Sequence, residues 1–381
     1  MITTFNPDLK PFEELAISFA AKELSKSVEE HDRYPFGPFF SEVLDKAYEV
    51  GLLGITLPEN FGGIGQGIST LCTVLDHIAQ VDSSLGGIIL TNAISQEIMT
   101  SGDGELAKNV FADAASSSSF LVAFPSFSNP GQTANMPAAE RSGKDFTLKG
   151  RLEFLVLGNI ASSALIPGRL SGTDGYSFFL VDLSDTGAKK SEPIFTLGLH
   201  ACPAVDVDLD GVKSRLIGAE GGGEALFEAA SNKLHTAAAA MSAGIMKGSL
   251  GEALAYAKER SQGGREIINW SEMRMILANM AVKTKVADLC VAQACRAIEA
   301  NVQDWGHFSM SSALHVHELS CELVNDGVQA LGGNGYMKDY GQEKRYRDAR
   351  QVQALLGTPP MKKIGLIREL AGLEEACAYA L

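Results

Sequence analysis

FTLKGRLEFLVLG, residues 146–158, is the stretch on which the fold turns. It is rich in Phe, Leu, Thr and Val, and it reads as β-strand rather than helix. The same character begins at SFLVAF (119–124) and continues through SALIPGRL (163–170), YSFFLVDL (176–183) and AVDVDLDGV (204–212), with Gly, Asp, Asn and Pro between the segments. On both sides the text is helical. PFEELAISFAAKELSKSVEE (11–30) and FFSEVLDKAYEVGLLGI (39–55) space apolar residues by three and four, and so do two long runs at 225–260 and 273–305. Strands therefore do not alternate with helices, which argues against a doubly wound sheet. The expected class is α+β and mainly helical: an N-terminal helical domain (1–120), a central β-domain (121–230) and a C-terminal helical bundle (231–381).

The chain has 381 residues, 32 of them Lys or Arg and 46 Asp or Glu, for a net charge of -14. That sign repels nucleic acid and anionic membrane surfaces. No apolar run is long enough to span a bilayer, and MITTFNPDLKPFEELA lacks the basic and apolar parts of a signal peptide. A cytoplasmic protein is expected.

Six cysteines, Cys72, Cys202, Cys290, Cys295, Cys321 and Cys377, show no CxxC spacing. They read as small apolar residues, with neither disulfides nor a metal. His315 and His317 resemble a ligand pair, but residues i and i+2 of a helix point apart, so a structural role is expected. NFGGIGQG (60–67) lacks the preceding strand and the lysine of a phosphate loop and reads as a tight turn. The run Ala237–Ala240 has small side chains that let helices approach closely.

Four strings carry a family resemblance, in order along the chain: GLLGITLPENFGGIGQG (51–67), LGLHACPAVDVDLDGV (197–212), AYAKERSQGG (255–264) and QALGGNGYMKDYGQEKRYRDARQVQALLGT (329–358). They resemble the acyl-CoA dehydrogenase superfamily, and the last is the strongest match. The resemblance implies a tetramer with FAD between subunits. It also implies an acyl thioester whose α-proton goes to a carboxylate while the flavin takes the β-hydride. An electron-transfer flavoprotein is the redox partner such a scaffold implies.

Carried over position by position, Arg260 matches the arginine that reaches the FAD pyrophosphate of the neighbouring subunit, a role suited to a bidentate guanidinium. Gln329, Gly332 and Gly333 match the turn that approaches the same FAD, and Thr358 matches the threonine beyond the catalytic position. These five are the expected cofactor-binding residues. The flavin side departs from the pattern: Pro125 and Val156 replace hydroxyl-bearing residues, Leu157 follows, and Ser271 and Pro360 replace other polar residues. At the usual glutamate stands Leu356, and at the alternative upstream position Leu234. His235 stands where many members carry an arginine for the CoA adenine. Glu343 reads as an interhelical ion pair; Glu266, Glu272 and the His200–Cys202 loop are weaker substitutes for a base or nucleophile.

Three functions follow as expectations. The favoured one is a base-lacking subunit of a heteromeric acyl-CoA dehydrogenase that shares an interfacial FAD with a glutamate-bearing paralogue. A flavoenzyme with other chemistry on an acyl thioester, borne by CoA or a carrier protein, is the second. A flavin-free scaffold is the third.

Overall fold

A computed structural model describes residues 6–26, 28–33, 41–133 and 135–372. Cys377 and the Phe39–Phe40 start of the second helical stretch lie outside the described residues. Among the described residues seven α-helices come first: α1 (Lys10–Phe19), α2 (Val28–His31), α3 (Ser41–Glu49), α4 (Ile68–Ala79), α5 (Ser83–Gly102), α6 (Gly104–Phe111) and α7 (Ser117–Phe120). Strands β1 (Val122–Ala123), β2 (Ala138–Ser142), β3 (Asp145–Val156), β4 (Ser163–Leu170), β5 (Ser177–Asp182), β6 (Ala188–Lys190) and β7 (Ala204–Ile217) follow. The chain then returns to helix in α8 (Gly223–Glu259), α9 (Ser271–Glu299), α10 (Trp305–Leu331), α11 (Gln342–Val352) and α12 (Pro359–Ala371). The mainly helical α+β class is observed.

The strands close on themselves. β4 pairs β2 in parallel, β2 pairs β3, β3 pairs β7, β7 pairs β5, and β5 returns to β4, all antiparallel after the first. Among the described residues, closure leaves only the short strands β1, on β4, and β6, on β7, as edges, which limits pairing with another chain. The long stretch Phe146–Gly158 supplies most of β3. By contrast, the first two residues of SFLVAF, Ser119 and Phe120, end the short helix α7, which Ser116 caps by accepting from the Ser119 backbone N–H while the Ser119 hydroxyl reciprocates.

α8 is the axis of the C-terminal bundle and packs on α4, α5, α9, α10 and α11. Ala237–Ala240 are fully buried, and a Cβ on Gly244 would lie 2.2 Å from the Asp76 carbonyl oxygen of α4. Small residues therefore set the spacing of these helices. In the Gly62–Gly67 turn, the N–H groups of Gly62, Gly63, Ile64, Gly65 and Gln66 all donate to carbonyls between Gly54 and Glu59. These five are not available to a phosphate.

Among the described residues no helix is long and apolar enough to cross a membrane, and no His, Cys, Asp and Glu cluster could hold a metal. His315 is exposed while His317 is buried against the Ser242 hydroxyl at 2.8 Å.

Candidate active site and cofactor surface

α11 ends at Val352, α12 begins at Pro359, and the loop between them carries Leu356. Leu356 has a left-handed φ of 61°, and its side chain is buried. Its backbone N–H donates to the Ser126 carbonyl at 2.6 Å, which fastens the loop to the segment after β1. Leu356 and Gly357 line a cavity of about 80 Å³ whose other walls come from α8, α10, α12 and the Asn129–Gln132 turn. Glu224, Glu228, Ser231 and His235 face it at helical spacing along α8. Leu234 is packed wholly into the core and does not line it.

The inner wall of this cavity is unusual. Lys362, in the first turn of α12, is buried, and its Nζ donates to the Leu355 carbonyl at 2.6 Å and the Gln353 carbonyl at 3.2 Å. Burial pushes its amine down to about 7. His235 is 2 % exposed, and among the described residues its Nδ1 has no hydrogen-bond partner. Burial first, and then Lys362 and His317, hold His235 uncharged.

The substitute acids are engaged elsewhere. Glu343 pairs with Arg347 at 2.7 Å, and Arg347 also reaches Asp32. Glu266 and Glu272 are exposed, receiving bonds from Asn269 and Ser271 respectively. His200 is held between Asp32 and the Thr196 carbonyl, and Cys202 is buried with its thiol pushed up by burial, so the two form no nucleophilic pair.

The five expected cofactor residues are all exposed. Arg260 caps the end of α8, and among the described residues its guanidinium has no ion pair. Gly332 and Gly333 end α10, where a Cβ on either would meet nothing within 4 Å. Asn334 donates to the Tyr256 hydroxyl at 3.0 Å and so brings this turn beside the last turn of α8. Arg260, Gln329, Gly332 and Gly333 therefore share one end of the bundle. Thr358 lies elsewhere, at the N-cap of α12. The contacts Lys363–Glu318 and His307–Glu369 run α12 along the first half of α10. Eleven residues separate Glu318 from Gln329, or about 16 Å of helix.

The N-terminal domain of acyl-CoA dehydrogenases matches residues 6–118, and their C-terminal domain matches residues 221–369. The chain belongs to the acyl-CoA dehydrogenase superfamily. Members of this superfamily are FAD flavoproteins. The chain is 28% identical to a 3-(aryl)acrylate reductase of Clostridium sporogenes over 93% of its length and 96% of that protein. It is also 28% identical to CarC, a subunit of the caffeyl-CoA reductase-Etf complex of Acetobacterium woodii, over 94% and 97% of the two chains. Butyryl-CoA dehydrogenase of Megasphaera elsdenii shares the fold with a TM-score of 0.86 at 20% identity, over 95% and 98% of the chains.

Against that cofactor, the two halves of the molecule differ. The bundle end suits the ADP part: a guanidinium with no ion pair among the described residues stands at the same bundle end as a glycine turn with open space where side chains would be. The flavin edge does not fit as well. Val156 is buried and lacks a hydroxyl, and its N–H and C=O are both taken by Phe124. Pro125 has no donor at all. Lys362 was not legible as a site residue from sequence, because nothing in PPMKK distinguishes an inward lysine from a solvated one.

Proposed function

We propose that this chain is a subunit of a heteromeric acyl-CoA dehydrogenase-like flavoprotein, giving the ADP-binding half of a shared FAD site to a glutamate-bearing partner. What supports this reading is the contrast between Arg260, Gly332 and Gly333, exposed together at one bundle end, and the buried Leu356 and Leu234 at the two positions that the resemblance assigns to the base. When FAD is bound, it supplies the hydride acceptor. Arg260 would hold the pyrophosphate by charge-assisted hydrogen bonds, Gly332 and Gly333 would admit its close approach, and Gln329 would lie alongside. Thr358 belongs to this chain's own half-site. A partner carboxylate would take the α-proton of an acyl thioester. The name of the caffeyl-CoA reductase-Etf relative supports an electron-transfer flavoprotein as the redox partner.

Co-expression with an adjacent glutamate-bearing paralogue tests this reading. The two chains should purify together with flavin absorbance, and the complex should oxidise an acyl-CoA that this chain alone does not. One FAD per subunit on the isolated chain, together with acyl-CoA oxidation by it, would overturn the proposal.

A further inference from the structure

Lys362 and His235 play no part in the FAD-sharing function, yet they form the inner wall of the cavity beside Leu356. A neutral amine has two N–H bonds. Both can be given to the carbonyls of Leu355 and Gln353, which leaves the lone pair pointing away from them. His235 is buried, and its Nδ1 finds no partner among the described residues, in an interior where nearly all such atoms have one. Both residues thus present unsatisfied polar capacity around one small space.

Charge and size narrow what could enter. Glu224, Glu228 and Glu369 outnumber Arg368, the one arginine of the cavity wall, which pairs with Glu228, and the balance disfavours an anion. The cavity measures about 80 Å³, whereas a cavity of about 150 Å³ holds benzene, so only a compound of roughly three to five heavy atoms fits. An uncharged electrophile meets these conditions.

We propose that this cavity is a site for a small aldehyde or ketone, which condenses reversibly with Lys362 to an imine. The Nζ lone pair attacks the carbonyl carbon and a C–N bond forms. The amine's protons pass to the carbonyl oxygen, which leaves as water as the C=N bond closes. Nothing is oxidised or reduced, and no flavin is needed. Ser231 and His235 line the same space, where they can relay the protons. Desolvation favours such a nucleophile by keeping the amine uncharged, the condition of lysines that form imines.

The test uses the native chain and propionaldehyde. After borohydride reduction and digestion, mass spectrometry should find the propyl adduct at Lys362 forming about tenfold or more faster than at the exposed Lys149 and Lys285. Denaturant should erase the difference, and filling the cavity by Ser231→Met should slow modification of Lys362 by a similar factor. Modification of Lys362 no faster than that of Lys285 in the native protein would overturn the proposal, as would a rate untouched by Ser231→Met. Neither outcome depends on FAD or on a partner chain.

Discussion

The backbone N–H of Leu356 donates to the Ser126 carbonyl at 2.6 Å, and this bond holds Leu356 in a left-handed conformation that costs a β-carbon residue about 1–2 kcal/mol. The loop is thus pinned at the position to which the family resemblance assigns the carboxylate, with the Leu356 side chain turned into a cavity shared with Lys362. A carboxylate introduced there would be desolvated beside the lysine amine. It would hold Lys362 as an ammonium in an ion pair rather than stand ready as a proton acceptor. Leu356→Glu alone is therefore expected not to bring about bleaching of bound flavin by butyryl-CoA under anaerobic conditions. Bleaching by the single variant would show that the missing base is the only defect.

Gly332 and Gly333 separate two reasons for glycine. Gly332 has φ 58° and ψ -131°, a region that side chains avoid, so Gly332→Ala should lower stability by about 1–3 kcal/mol. Gly333 has no such φ, and its surroundings are open. Gly333→Leu should leave the urea midpoint unchanged yet reduce flavin retention by the co-purified complex, because only a ligand would occupy the space it fills. A complex that keeps its full flavin absorbance would remove this turn from the cofactor site.

Arg260→Ala should behave in the same way. Its guanidinium is exposed and joins no ion pair among the described residues, so folding should be indifferent to its loss. A charge-assisted hydrogen bond to pyrophosphate is worth about 1.5–3 kcal/mol, and FAD affinity of the complex should fall by one to two decades. Flavin titration of the apo-complex measures this directly.

Much of this architecture is legible in local text because its helices are long and their apolar spacing is regular. The closed sheet is less so. Its parallel closure rests on Ala138 and Ala139 of the short strand β2 meeting Arg169 and Leu170, a pairing that no local pattern announces. The bundle-end cofactor positions are legible only through resemblance, since an exposed arginine and a glycine turn are unremarkable by themselves. His235 was legible as a position but not as an environment: its burial comes from α8 packing against its neighbours. Lys344 is similar, because nothing in QEKRYRDAR marks it as inward-facing, while the structure buries Lys344 and Asp348.

That buried lysine supports a stability prediction. Lys344 donates to Asp82 at 2.9 Å and to Asp348 at 2.6 Å, and Asp348 also accepts from the Leu199 N–H. Burial disfavours the Lys344 charge, but Asp348 and Asp82 outweigh it and hold the amine above its usual range. Lys344→Met would leave two buried carboxylates without their cation and should cost about 3–5 kcal/mol. Urea unfolding that shifts by less than about 1 kcal/mol would mean that the carboxylates find other partners.

Lys362 makes the pH dependence specific. An unfolded lysine loses its proton near about 10.4, whereas burial brings Lys362 in the native protein down to about 7. Between those values the unfolded chain holds a proton that the native chain does not, so stability must rise with pH, by about 1.4 kcal/mol per unit for this group. Below the native value both states are protonated, and the penalty is present in full. Lys362→Gln removes the titration and keeps a donor for the Leu355 and Gln353 carbonyls. The groups around it, Glu224 and Glu228 on α8 and Arg368 and Glu369 on α12, are common to both proteins, and burial keeps His235 and His317 uncharged. Urea unfolding at pH 7 and pH 9 should therefore show wild type gaining about 2–3 kcal/mol relative to the variant. A difference that stays flat across that range would mean that the two carbonyls hold Lys362 as an ammonium, and the imine chemistry would lose its nucleophile.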